Sequence, residues 1–216
     1  MSEQKRSGMW QNIRANALNL STMAIVAAAA LAMVYILTSP LIINNQRLAQ
    51  IAALTQVMPS QYFDQELLQH SFSLPHAEQL NQDSKNQGYM AWQEGKINGW
   101  ILPVTSLDGY SGPIHMLVGI DAYGGITGVR ITRHKETPGL GDKIDYQKSH
   151  WVDDFIGAKL TTHKWAVGKD GGDFDQFTGA TITPRAVVNA VKASLTYLDQ
   201  HQADLLTVAQ VHKEEH

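Results

Sequence analysis

The sequence predicts an α+β protein: a single N-terminal transmembrane helix followed by a domain with an antiparallel sheet packed by helices. Three observations predict it. An uncharged, mostly apolar run occupies Leu18 to Leu37, about the 20 residues that a helix needs to cross a bilayer. Ile114, Met116, Val118 and Ile120 alternate, the chain turns at Ala122-Tyr123-Gly124-Gly125, and Val129 and Ile131 alternate on the way back; that is a β-hairpin. Behind Thr183-Pro184, the residues Val187, Ala190, Val191, Leu195 and Leu198 recur at helical spacing, so one face of a helix is buried.

Composition narrows the class. The 216 residues carry a net charge of −3 and no cysteine. The length suits one domain of ordinary size plus an appendage. No Lys/Arg cluster is interleaved with aromatics, which speaks against nucleic-acid binding. Without cysteine the chain itself forms no disulfide, thiolate metal site or iron–sulfur cluster.

Residues 1–17 read as a cytoplasmic N-terminus and 18–38 as the membrane helix. Lys5, Arg6 and Arg14 precede the apolar run, whereas only Arg47 follows it before Lys85. The positive-inside tendency then puts everything after Pro40 outside, which in a Gram-negative cell is the periplasm, with the helix in the inner membrane. A secretory signal would have a shorter apolar core, about 7–15 residues, and a small-x-small cleavage site; Thr38-Ser39-Pro40-Leu41-Ile42-Ile43 offers a poor one.

Residues 39–87 form a juxtamembrane region. Asn45 to Val57 reads as a helix stopped by Pro59, and the Gln/Asn-rich stretch Gln61 to Gln87 as a short helix and loops. The main domain spans 88–199. It begins with strands at Tyr89–Trp92 and Asn98–Val104 around a Gly95-Lys96 turn. The loop Gly109-Tyr110-Ser111-Gly112-Pro113 leads into the hairpin. After the irregular loop His134 to Gly141 come a short helix at Trp151–Ile156, a strand at His163–Val167 and a flexible loop at Gly168–Asp173. The remainder, 200–216, reads as a loosely ordered polar tail.

Two stretches carry chemistry. In Asp175-Gln176-Phe177-Thr178-Gly179-Ala180-Thr181-Ile182-Thr183-Pro184, Thr183 reads as an N-cap and Pro184 as the first helical residue. Gly179 and Ala180 leave the backbone bare, and Thr181 places a hydroxyl near the positive end of the helix. Two readings stay open: a tight turn into a capped helix, or a phosphate-binding helix N-terminus. In His134-Lys135-Glu136-Thr137-Pro138-Gly139-Leu140-Gly141, Pro138 biases Thr137 to extended geometry and two glycines permit close approach of something flat; a plain surface loop is the other reading.

Other chemistries find little support. The nine histidines show no His-Glu-x-x-His spacing, and no metal site is expected. His134 stands apart only by its place before the second stretch, where tuning a ligand and capping a strand are both open. Lys143 reads as a solvated surface residue. Gly139-Leu140-Gly141 lacks the third glycine and the following helix of a dinucleotide fingerprint.

Asp175-x-x-Thr178-Gly179-Ala180-Thr181 resembles the covalent flavin attachment motif of the FMN-binding domain family, found in Rnf-type and sodium-translocating NADH:quinone reductase complexes. Glu136-Thr137-Pro138-Gly139-Leu140-Gly141 resembles that family's second signature, and Gly109-Tyr110-Ser111-Gly112-Pro113 its pattern before the hairpin. The resemblance covers about Gly88 to Leu198. It implies FMN held as a phosphoester on Thr181. Asp175, Thr178, Gly179 and Ala180 would then be the recognition sequence for a separate flavin transferase. Thr183, Tyr110, Glu136, Thr137, Gly139 and Leu140 would be further cofactor contacts. It further implies an electron-relaying component of an ion-translocating, Rnf-type complex, not catalytic alone. Its partners would be other membrane and redox subunits, among them a second covalent-flavin protein, with membrane lipid around the anchor. The alternatives are the NqrC-type component of the sodium-translocating reductase and a tethered structural or assembly protein with a vestigial flavin site.

Overall fold

The computed structural model describes residues 3–64, 67–83 and 86–214, with the side chains of 3–13, 15 and 211–214 left aside. Lys5, Arg6 and Lys85, on which the expected orientation partly rests, lie outside the described side chains. The chain divides into two units, Met1–Ala49 and Gln50–His216.

The first unit is helical throughout its described length. It belongs to helix α1, Glu3–Val57. Within it, Asn16–Val57 is long and apolar enough to cross a bilayer, and the most apolar window has no buried residue. The expected end of the helix near residue 38 and a separate helix from Asn45 are not seen: α1 runs through Pro40 unbroken. A proline removes one backbone donor from the ladder. Just before it, Thr38 Oγ1 donates to the Val34 carbonyl at 2.8 Å and Ser39 Oγ to the Tyr35 carbonyl at 2.6 Å, so hydroxyls serve carbonyls one turn back.

In the second unit five strands form one antiparallel sheet whose spatial order is the chain order. They are β1 (Ser71–Ser73), β2 (Gln87–Gln93), β3 (Lys96–Ser106), β4 (Ile114–Asp121) and β5 (Ile126–Arg133). Both anticipated hairpins are present, with Met90 opposite Trp100 and Val118 opposite Val129. The turn between β2 and β3 uses Glu94 and Gly95, both at positive φ (51° and 72°), the pattern of a two-residue primed turn. β1 was not anticipated. It pairs with β2 from Ser71 opposite Tyr89 to Ser73 opposite Gln87, and three residues are too few for a periodic signal.

Alternation gives the sheet two apolar faces. Met90, Trp100, Leu102, Met116 and Val118 pack into the larger core with helix α2 (Ile182–Glu214). All five positions expected on the buried face of that helix, from Val187 to Leu198, are buried. Tyr89, Ala91 and Ile101 face the other way, onto Leu54, Val57, Met58 and Leu67. There the end of α1 comes down to the sheet backbone: a Cβ on Gly119 would sit 2.2 Å from the Val57 carbonyl oxygen, and Thr127 Oγ1 donates to that same oxygen.

Three further expectations need correction. The expected strand His163–Val167 is a set of turns with a single bridge, Val167 to Phe174. Its Trp165 packs on Phe155 and Phe174, so aromatic stacking replaces a ladder. The short helix near Trp151 is a 3₁₀ turn, Trp151–Phe155. The expected loose tail is helical to Glu214, with Leu205 and Ala209 buried; the helix is interrupted only at His201 (φ −113°, ψ 16°).

Candidate cofactor site

Two tight turns, each built on a glycine, face one another above the start of α2. In Thr137-Pro138-Gly139-Leu140 the Leu140 N–H bonds the Thr137 carbonyl at 3.1 Å, and Gly139 has φ +76°. In Phe177-Thr178-Gly179-Ala180 the Ala180 N–H bonds the Phe177 carbonyl at 3.2 Å, and Gly179 has φ +83°. A positive φ at the third position is what type II turns require, with Pro favoured just before it. The turns touch: a Cβ on Gly179 would stand 3.4 Å from Leu140 Cδ2. These two glycines therefore shape turns. The close approach falls instead to Gly141, whose Cβ would meet Thr183 Oγ1 at 2.7 Å.

Behind the turns lies a buried bracing network. The Glu136 carboxylate accepts a hydrogen bond from the Ser111 N–H at 2.9 Å and another from the Thr183 hydroxyl. The expected N-cap role of Thr183 is thus not what the structure shows. Helix α2 begins one residue earlier, at Ile182, and the Thr183 hydroxyl is spent on Glu136. Pro184 is the third helical residue rather than the first, still within the turn whose N–H groups have no intrahelical acceptor. His134 Nδ1 accepts from the Glu136 N–H at 3.1 Å, which makes it a local brace of the loop.

A cavity of ≈ 430 Å³ opens between these elements. Eight of the sequence-identified residues line it: Tyr110, Glu136, Thr137, Leu140, Gly179, Ala180, Thr181 and Thr183. Asp175, Thr178 and Gly139 are exposed and do not. Asp175 lies instead near Asp154, whose carboxyl is pushed up by burial and then by the charges of Asp175 and Asp153. Gly141 and Ile182 also line the cavity; both sat inside the two quoted strings but carried no separate signal. Trp151 was missed as a support. Its Nε1 donates to the Asp175 carbonyl at 3.0 Å, and its ring meets Phe177 edge-on at 5.0 Å. Nothing local in sequence joins residues so far apart.

The cavity suits a flat, phosphate-bearing ligand. Thr181 is half-buried immediately before the first residue of α2, so its hydroxyl sits by open N–H groups and the positive end of a long helix. Tyr110, Leu140 and Ile182 are exposed apolar side chains around it. Arg185, in the first turn, does not offer its charge to the cavity: it forms a bidentate pair with Asp170 (2.7 and 3.0 Å). That hydrogen-bonded pairing lowers the Asp170 carboxyl and raises the guanidinium.

Residues 109–196 match the family model described as FMN-binding domain, and residues 1–57 match the RnfG N-terminal region. The chain is thus a protein with an FMN-binding domain behind an N-terminal helical segment. It is 41% identical over 203 residues to the RnfG-type component of the ion-translocating oxidoreductase complex of Aliivibrio fischeri (strain MJ11), covering 93% of this chain and 97% of that one. The counterpart from Shewanella loihica is 42% identical over 201 residues, 92% of this chain and 95% of the other. That from Vibrio cholerae serotype O1 (strain M66-2) is 42% identical over 196 residues, 89% and 93%. The chain belongs to the RnfG family of ion-translocating oxidoreductase complex components. Among solved structures, NqrC of Shewanella oneidensis is similar over 70% of this chain and 74% of its own, at 21% identity and a TM-score of 0.46.

Proposed function

We propose that this chain relays electrons within a membrane-bound, ion-translocating oxidoreductase complex of the Rnf type, through FMN joined as a phosphoester to Thr181. The observation that carries the reading is the meeting of both sequence stretches, 136–141 and 179–183, on one cavity at the start of α2. Such a flavin supplies one- and two-electron transfer. The protein's own residues hold and shield it. Thr181 offers the attachment oxygen. The N–H groups of Ile182 and Thr183 stabilise the remaining phosphate charge. Tyr110, Leu140 and Ile182 cover the ring, and Thr137 with the backbone near Gly139 supports its polar edge. Asp175, Thr178 and Gly179, exposed beside the cavity, suit recognition by a separate flavin transferase.

The apolar segment within α1 serves as a single-pass inner-membrane anchor in this reading, with the N-terminus cytoplasmic and the domain periplasmic. The charge bias around Leu18–Leu37 supports that orientation. An ion path needs polar groups inside the bilayer, and that run carries no charge. Other membrane and redox subunits, one bearing a second covalent flavin, are therefore the partners.

The test is intact-mass analysis of denatured protein from native membranes, with in-gel flavin fluorescence, for wild type and Thr181→Ala. A mass excess of FMN less one water, lost in the variant, is expected. Fluorescence that survives in Thr181→Ala moves the link to Thr178 or Thr183. A wild type without covalent flavin overturns the phosphoester.

A further inference from the structure

A second cluster of donors lies outside the cofactor cavity, where the segment before the 3₁₀ turn Ala77–Leu80 meets the interrupted part of α2. His76, His201 and Asp204 each present one ligand atom there, and the three atoms lie within 4.8 Å of one another. The two imidazoles stack with centroids 4.5 Å apart. His201 Nδ1 stands 3.5 Å from the Asp204 carboxylate, and the Glu78 carboxylate 3.8 Å from His76 Nδ1.

The backbone is irregular at both histidines. His76 is left-handed (φ 51°, ψ 40°), and His201 is the one non-helical residue inside α2 (φ −113°, ψ 16°). Left-handed backbone is disfavoured for a residue with a Cβ, and such departures persist where surrounding structure imposes them. The Tyr197 hydroxyl imposes part of this by donating to the Pro75 carbonyl at 2.5 Å, next to His76, while its ring lies 4.9 Å from that of His201.

We propose that His76, His201 and Asp204 form a binding site for a divalent transition-metal ion of the zinc class, with Glu78 as an additional oxygen donor. Two imidazoles and a carboxylate suit zinc-class ions, whereas calcium and magnesium take oxygen ligands throughout. Donor atoms of a tetrahedral zinc site sit about 3.4 Å apart, given bonds of about 2.0–2.1 Å. Closing the cluster from 4.8 Å asks only for side-chain rotation. The His76 and Asp204 side chains are 51% and 58% exposed and have room to rotate. His201 is the fixed donor: its side chain is 13% exposed, and Nε2 lies 3.0 Å from Gln79 Oε1. A metal-ligating imidazole held through its other nitrogen is the usual outer-shell arrangement. The ion would clasp the segment ahead of β2 to the C-terminal half of α2.

The test uses the full-length, tag-free protein in detergent, stripped of metal and titrated with zinc chloride by calorimetry. His76→Asn and Asp204→Asn are the variants, since Asn tolerates left-handed backbone and Asp204 is exposed. Wild type is expected to bind one zinc per chain. Each variant should bind it at least about tenfold more weakly, the loss ordinary even for outer-shell partners. Zinc should raise the melting temperature of wild type and leave that of the variants unmoved, while the metal-free proteins melt together. Absence of zinc binding in wild type, equal affinity in both variants, or calcium binding as well as zinc would each overturn the site.

Discussion

The Glu136 carboxylate, 4% exposed, accepts the hydroxyl of Thr183 from 47 residues away. One buried side chain thereby joins the loop after β5 to the first turn of α2. Through Ser111 N–H it also holds the loop before β4. Thr183→Val removes a donor from a buried carboxylate. A loss of about 1–3 kcal/mol in folding stability is expected, read by denaturant unfolding of the full chain. Flavin fluorescence in gels should fall too, although Thr181 is intact. Wild-type stability in this variant would show that the brace carries no weight.

Gly141→Ala tests the tightness of the same corner. The added methyl would lie 2.7 Å from Thr183 Oγ1 and 3.0 Å from Glu136 Oε2. Both partners are pinned to each other, so relief requires breaking their bond or moving the loop. Overpacking of this kind costs about 1–3 kcal/mol. A thermal melt superimposable on wild type would contradict the geometry.

Trp151→Phe keeps an aromatic ring beside Phe177 and deletes only the indole N–H that reaches the Asp175 carbonyl. One neutral hydrogen bond contributes about 0.5–1.5 kcal/mol, so the domain should remain folded. The segment 175–179 should exchange its amide hydrogens faster. Exchange that is unaltered there, or altered equally everywhere, would deny Trp151 its local role.

His115 gives the fold a pH dependence. Burial, then the charge of Arg133, holds its imidazole below the ordinary value of 6.5. The unfolded chain therefore binds more protons between that lowered value and 6.5, so stability falls as pH drops through this window and levels off beneath it. The neutral ring is also tied in: Nδ1 lies 2.8 Å from Thr105 Oγ1 and Nε2 2.8 Å from Arg133. His115→Gln should flatten the plot of unfolding midpoint against pH just below 6.5. A slope equal to that of wild type would assign the titration to another group.

What could be read from sequence was what repeats at short range. The hairpin from Ile114 and the face of α2 from Val187 to Leu198 follow from periods of two and 3.6, and both lie where those periods put them. Thr183 deceived because a hydroxyl before a proline is a sound N-cap by local rules, and the competing acceptor, Glu136, becomes its neighbour only after folding. Leu205 and Ala209 did carry a four-residue spacing, but among polar neighbours it was too sparse to announce a helix. His163–Val167 has strand-forming residues, yet Trp165 finds Phe155 and Phe174 before it finds a pairing partner. The two turns of the cavity were legible as Pro-Gly and Thr-Gly; that they would touch was not.

The order of the sheet bears on how the domain assembles. Because spatial order repeats chain order from β1 to β5, each strand can pair with the one just made, across short loops whose closure costs little entropy. The cavity has no such shortcut. Tyr110, Thr137 and Thr181 meet only once α2 has docked, and Tyr197 must find Pro75 across 122 residues. The attachment threonine therefore acquires its surroundings in the last stage of folding. A chain interrupted before that stage presents an assembled sheet but an unformed pocket, so the presence of the pocket reports that the whole domain is in place.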